Sequence, residues 1–548
     1  MELLVDLFGY LSIVVHGLTI LSQSVALGGV LFLMFLARPL NHPVIIAGTA
    51  RIAGTAAIAL LLSEAATVAL QATVLADTLD LPLGNVLGAD FAIAGLVKTM
   101  VAALLALLLL LRGGRAPGIL LLALTVIALA AATLTTHAAA RLDNRATLLA
   151  VEFLHQLGAA IWIGGIPCFL FALAHIRDGA VWRQASTRFS RLSMIGVACI
   201  LLSGISMSLL YIGDAAGFYG TAFGVMVGAK IALFLMLLAL GGMNFLMIER
   251  LRASPDASAI RLRRFAEAEL GIGIAIFFAA ASLTSVPPAV DLTRDRVTWA
   301  EIIARNTPEW PRLTSPDYDS LALPALQAQL DQEAAQRQAA PQAAFTPGAG
   351  ELPPHNADDI AWSEYNHHWA GIVVCVVGLL ALLNRAGLRW ARHWPLAFLG
   401  MAVFLFFRAD PEVWPMGNEG FFASLRDVEV LQHRSFEILI VLFALFEWRV
   451  RATAWSNRAA PLVFPLLCAV GGTLLLTHSH AIANVKDQLL IELTHTPLAL
   501  AGIVAGWARW LEIRLSPRAN PVAWQVAGWI WPACILFAGL LLLGYREA

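Results

Sequence analysis

Apolar stretches of about 20 residues recur along almost the whole of this 548-residue chain, and that recurrence admits very few folds. In hydrocarbon no water meets an unpaired N–H or C=O, so each stretch must be a helix that bonds its own backbone. The composition agrees. Hydrophobic residues make up 59% of the chain, charged residues only 13%, and mean hydropathy is +0.75, whereas a soluble domain carries about a quarter charged residues. The expected fold is all-α, a polytopic membrane bundle of about 14 transmembrane helices. They fall near residues 9–37, 47–75, 91–111, 117–137, 148–174, 190–212, 221–248, 265–286, 367–384, 394–408, 429–448, 461–478, 488–510 and 521–544. The start, Met1-Glu2-Leu3-Leu4-Val5-Asp6, lacks the basic region of a cleavable signal peptide, so the first span is expected to be retained. A net charge of -1 gives no surface for nucleic acid.

Orientation follows the arginines. Alternate connections hold Arg38 and Arg51, Arg112 and Arg115, Arg177 to Arg191, Arg250 to Arg264, Arg385 to Arg392, Arg449 to Arg458 and Arg509 to Arg518. The opposite connections, such as Asp77 to Asp90 and Tyr211 to Gly220, have no Lys or Arg. The arginine-rich side is expected to be cytoplasmic, which puts both termini outside. Residues 287–365 are the one long outer segment, and 327–354 are rich in Ala, Gln and Pro. The expected domains are an eight-span membrane domain at 1–286, an outer segment at 287–365 that is partly flexible, and a six-span membrane domain at 366–548.

The first domain looks duplicated. His16 precedes Gly28-Gly29 and His155 precedes Gly164-Gly165, while Lys98 and Lys230 each close a similar apolar phrase. Spans 1–4 therefore resemble spans 5–8. A second echo joins the halves: Thr136-His137 before Glu152-x-x-His155, and Thr477-His478 before Glu492-x-x-His495.

Most of the 13 histidines fall toward the outer side of this topology. They are His16, His137, His155, His367, His368, His433, His478, His480 and His495. A bilayer tolerates few unpaired imidazoles, so such a gathering marks a metal, cofactor or proton site. Glu-x-x-His puts a carboxylate and an imidazole one turn apart on one helix face. Imidazole with carboxylate suits Cu(II), Zn or Fe. The candidate metal ligands are His16, His137, Glu152, His155, His433, His478, His480, Glu492 and His495. The competing reading makes each of them a packing or interface residue. Of His367 and His368, adjacent on a helix, only one can face a shared site. His42, His175 and His393 lie on the cytoplasmic side and are assigned no function. Glu64, Lys98 and Lys230 fall inside spans and are candidates for an ion pathway, the lysines having interface snorkelling as the alternative. The five cysteines are scattered singly, with no C-x-x-C pair for a redox motif or c-type haem.

One set of motifs resembles a known family. His155-Gln-Leu-Gly-Ala-Ala-Ile-Trp162-Ile-Gly164-Gly165, then Arg188-Phe189-Ser190-Arg191, Ser203-Gly204, Gly220 to Lys230 and Asn244, is similar to the copper-resistance D (CopD) family of bacterial inner-membrane proteins. The likeness is clearest over 150–250, with spans 1–8 following in outline. The second half, with Trp362-Ser-Glu-Tyr-Asn-His-His-Trp369, Arg408-Ala-Asp410 and Gln432-His433-Arg434, looks like the C-terminal membrane extension of longer members. The resemblance implies copper handling at the bacterial cytoplasmic membrane, a small periplasmic partner of the copper-resistance C type, and His155 as the family-matched position.

Three readings stay open on the sequence. The first is a copper transporter or copper-homeostasis protein rather than an enzyme, with a periplasm-facing His/Glu site. The second is a membrane cytochrome with haem b or another periplasm-side redox centre. The third is a carboxylate-bridged dimetal oxidase, completed by Glu64 and Glu437. Against the first stands the lack of any visible ligand ladder on the cytoplasmic half.

Overall fold

The computed structural model describes residues 2–253, 260–292, 296–307, 309–316, 332, 357–410, 413–417, 419–425, 428–453, 457–477 and 485–546. Among them every regular element is helical, apart from one isolated bridge between Val413 and Glu419. The principal helices are α1 (Glu2–Phe32), α2 (Pro43–Thr78), α3 (Asp90–Arg112), α4 (Gly118–Thr133), α5 (Arg145–Trp162), α6 (Gly179–Tyr211) and α7 (Ala222–Ala253). They continue with α8 (Ile260–Leu283), α9 (Ala357–Arg385), α10 (Ala397–Arg408), α11 (Val428–Ala452), α12 (Val463–Leu475), α13 (Val485–Arg514) and α14 (Pro521–Leu543).

Each expected apolar stretch overlaps one of these helices. Among the described residues ten helical segments are long and apolar enough to cross a membrane, and Gly118–Thr133 and Ala460–Leu475 are apolar but shorter. Helices α11 and α13 have the length, with 25 and 30 residues, but more polar sequences. The chain is therefore a multi-pass membrane protein. The helices stop where chemistry forbids continuation. Asn41 and Gly113 take positive φ of 52° and 54° after α1 and α3. Pro43 and Pro521 occupy first turns, where the missing N–H costs nothing. Asp178 starts α6 by accepting from the amides of Ala180 and Val181.

The chain divides into two compact units, one of Met1–Val297 with Leu476–Leu489, the other of Thr298–Ala344, Glu351–Leu475 and Leu490–Ala548. Between membrane helices the hydrophobic effect is weak, so close packing takes over and small residues line the seams. In the first unit α1 runs against α5 with backbone on backbone. A Cβ on Gly164 would sit 1.9 Å from the Ser24 carbonyl oxygen, and one on Gly28 would sit 2.2 Å from that of Ala160. This explains Trp162-Ile-Gly-Gly: α5 ends there, Gly164 N–H reaches back to Ala159 O, and a new helix starts at Ile166. In the second unit α9 and α14 meet the same way, where a Cβ on Gly539 would come within 2.5 Å of Cys375 N. Gly472, Gly502 and Gly506 do this for α12 and α13.

Three arginines make further contacts. In the first unit, Arg141 pairs with Asp291 at 2.9 Å and Arg296 with Asp214 at 2.8 Å. In the second, Arg451 lies over the rings of Trp394, Phe464 and Trp531 and donates to Glu447 at 2.6 Å. That arginine stays buried because π-faces and Glu447 surround it, with the Arg509–Glu512 pair sharing Trp531 beside it.

Gly164→Leu should therefore destabilise the first unit by at least about 1–3 kcal/mol, or block its assembly. Gly204→Leu, where nothing lies within 4 Å of the added carbon, should be near neutral. Thermal unfolding of the two variants in detergent compares them directly.

Candidate functional site

Helices α1, α2 and α3 enclose the first charged cluster. Lys98 Nζ lies 2.7 Å from Glu64 Oε2, with side chains only 4% and 3% exposed. An isolated charge at this depth is costly, so each residue is the reason the other is tolerated. Gly95, one turn before Lys98, makes room: a Cβ there would stand 3.1 Å from Glu64 Oε1. Thr19 on α1 meets Thr67 on α2 at 3.4 Å, one turn from Glu64. His16, one turn earlier on α1, is within electrostatic reach of Lys98.

A second cluster of similar composition lies on α5, α6 and α7. Here Lys230 acts electrostatically on both Glu152 and His155. Gln156 donates to Glu152 Oε1 at 3.1 Å and accepts from Gln23 of α1 at 3.0 Å. His155 Nδ1 lies 2.9 Å from Ser203 Oγ. The Ser203 hydroxyl spends its proton on the Cys199 carbonyl at 2.6 Å. It can therefore only accept from the imidazole, which fixes the proton on Nδ1 and leaves a lone pair on Nε2.

The two clusters are related but not copies. Leu61-Leu62-Ser63-Glu64 on α2 matches Leu201-Leu202-Ser203-Gly204 on α6, each twelve residues after Arg51 or Arg191. The first repeat takes its carboxylate from the second helix. The second repeat has Gly204 there, with open space around it, and takes Glu152 from its first helix instead.

His137 stands apart, at the start of the short helix His137–Ala140 on the Arg141–Asp291 rim. Its ring packs against the backbone of Leu283 and Thr284, and Nε2 is buried without a hydrogen-bond partner. Burial is the main cause that lowers its pKa below the usual 6.5, with the nearby Arg141 adding to it; the two backbone contacts and Asp291 oppose.

In the second unit each described histidine has a partner of its own chemistry, and three of them meet Tyr545. His433 Nδ1 lies 2.6 Å from Asp410 Oδ1, and Arg434, beside it, bonds Glu437 at 3.0 Å. Glu437, which the dimetal reading needed, is thus committed to an arginine. Glu492 accepts from Thr496 at 3.0 Å. His495 lies edge-on to Tyr545, and His367 stacks on the same ring at 3.9 Å. His368 is used structurally: Nδ1 accepts from Arg312 N–H at 2.7 Å, so Nε2–H donates to Tyr545 O at 2.8 Å. His478 and His480 lie outside the described residues. Glu152-x-x-His155 and Glu492-x-x-His495 belong to different units. Among the described residues no group of three or more His, Cys, Asp or Glu converges as a metal cradle.

The sequence reading passed over Glu269. It is buried in α8 and accepts from Asn244 of α7 and from the indole of Trp162. Its signal was available as a lone carboxylate well inside span 8, masked by the charged run Arg261 to Glu267 just before it.

Comparison with known proteins falls on these helices. Residues 183–283, which carry Ser203, Lys230, Asn244 and Glu269, match the family described as copper resistance protein D, CopD. Over those residues the chain is similar to the CopD family. It is also 31% identical over 167 residues to the copper transport protein CutJ of Bacillus subtilis (strain 168). That match spans 29% of this chain and 29% of the length of that relative. No solved structure matches the chain. Both descriptions name copper, and neither names haem.

Glu64→Gln should leave Lys98 buried without its partner and cost about 3–5 kcal/mol, and a Glu64→Gln, Lys98→Met double variant should recover most of it. A double-mutant cycle by thermal unfolding measures the difference. At the rim, a lowered pKa makes neutral His137 the folded form. Its contribution is full above pH 6.5 and falls away on acidification. His137→Gln should flatten the stability loss between about pH 7 and about pH 5.

Proposed function

We propose that this chain moves or handles copper at the bacterial cytoplasmic membrane, taking the ion at a periplasm-facing His/Glu site. The observation that carries the reading is the fixed tautomer of His155. A metal needs a deprotonated nitrogen with a settled ring orientation, and Ser203, bonded in turn to Cys199 O, supplies both. The match of residues 183–283 to the CopD family and the likeness to a copper transport protein support copper as the cargo.

In this reading the protein has fourteen spans with both termini in the periplasm. His155 and Glu152 lead the first unit's donor set, with His16 beside Lys98 and His137 at the rim. The C-terminal half of the sequence offers His433, His478, His480, Glu492 and His495 as further donors. Glu64, Lys98 and Lys230 form the ion pathway. An arriving copper ion competes with Lys230 for Glu152, so the lysine is a built-in counter-ion that keeps the empty site neutral. A small periplasmic copper carrier of the copper-resistance C type delivers or accepts the metal.

Copper bound to full-length protein in detergent should be lost in His155→Ala. It should be weakened about tenfold in Ser203→Ala, which frees the ring but keeps both its nitrogens. Equilibrium dialysis with metal analysis reads both. Wild-type copper retention in His155→Ala would sink the site.

A further inference from the structure

The inner half of the CopD segment holds a second polar centre that the copper site does not use. Glu269 lies at one wall of a cavity of about 400 Å³ between α5, α6, α7 and α8. The lining is mostly apolar, from Phe169, Phe189, Val197 and Leu238, and the rim residues Met194, Leu201 and Phe245 are exposed. Glu269 itself is only 4% exposed. Glu64 faces Lys98, and Glu512 faces Arg385 and Arg509. Glu269 has no such cation among the described residues, only Asn244 and Trp162. Two more polar atoms are buried at this cavity without a partner among the described residues, Ser193 Oγ and Asn244 Oδ1.

The donor set suits a group that changes protonation. Trp162 N–H can only donate, so it holds the carboxylate form. Asn244 serves either form: its N–H donates to the carboxylate, and after a rotation its unpartnered Oδ1 accepts from the acid O–H. Gly241 keeps the approach clear, since a Cβ there would come 3.3 Å from Trp162 and 3.9 Å from Glu269 Oε2. The cavity residues from α5, α6 and α7 bring no titratable side chain to Glu269. The nearest charges on its own helix are Arg263, Arg264 and Glu267, which pair with one another. Toward the outside, α5 and α7 lead to the copper site: Trp162 is about 10 Å from His155 along α5, and Asn244 about 21 Å from Lys230 along α7.

We propose that Glu269 is the protonatable carboxylate through which the CopD segment exchanges protons with the cytoplasmic side and, on the copper-transport reading above, exchanges them for copper. Ser193 and Asn244 hold the water or proton in transit. The cytoplasmic half thus lacks a metal ladder because it carries a proton site instead.

The test is covalent labelling of the full-length protein in membranes with dicyclohexylcarbodiimide, which enters apolar cavities and modifies protonated carboxyls. Peptide mass spectrometry should find the adduct on Glu269, lost in Glu269→Gln and suppressed in Gly241→Leu, while ion-paired Glu64 stays unmodified. Labelling of Glu64 with none on Glu269 would overturn the proposal. In vesicles holding a pH-sensitive dye, a copper gradient should move protons with the wild type and not with Glu269→Gln, whose copper binding by dialysis is unchanged. Equal proton movement in both proteins would also overturn it. If the wild type binds no copper at all, the transport reading fails, and the labelling result alone decides the proton site.

Discussion

A charge held in hydrocarbon must find its counterweight inside the protein, and the functional layout of this chain follows from that rule. Lys98 is possible because Glu64 sits 2.7 Å away. Lys230 is possible because Glu152 answers it from another helix. Arg451 survives in an aromatic cage closed by Glu447. Glu269 departs from the pattern, with neutral donors and an apolar cavity. Three ways of keeping a charge thus coexist in one bundle: pair it, wrap it in π-faces, or let it take up a proton.

The two similar sequence segments show how little of such a site stays in place. Arg51 and Ser63 persist as Arg191 and Ser203, and His16 and Lys98 recur as His155 and Lys230. The carboxylate does not recur at its own position. It has gone from the second helix of the first repeat to the first helix of the second, leaving Gly204 behind. What is retained is the sum of charges around the lysine, not the address of each one. The exchange also frees Ser203 to orient His155, a job Ser63 does not perform: it bonds the backbone carbonyl of Leu60.

Much of the fold was legible because the membrane imposes one dominant periodicity. Apolar length gave the helices, and the arginines gave the alternation of their connections. Side-chain pairing was harder to read. Lys98 and Glu64 were marked as intramembrane charges, but nothing in their spacing, 34 residues apart, says that they touch. The Glu-x-x-His phrases looked alike in both halves, yet one serves a Lys230-centred cluster and the other pairs with Thr496 and lies against Tyr545. His367 and His368 divide their roles as adjacent helical residues must, one stacking on a ring and the other bonding two backbone groups. Glu269 escaped because a charged run beside it made it look like the edge of a loop. Its partners come from helices 25 and 107 residues away.

The crossing of α1 and α5 at Gly28 and Gly164 has a mechanical consequence. Two backbones in contact, with no side chains between them, cannot be squeezed closer, but they can roll over one another. His155 lies nine residues above Gly164, an arm of about 13 Å. A roll of about 10° at the crossing would carry the imidazole sideways by about 2 Å, enough to make or break a bond to a metal. The glycines that look like mere spacers are in that sense the axle on which the outer arm of α5 turns.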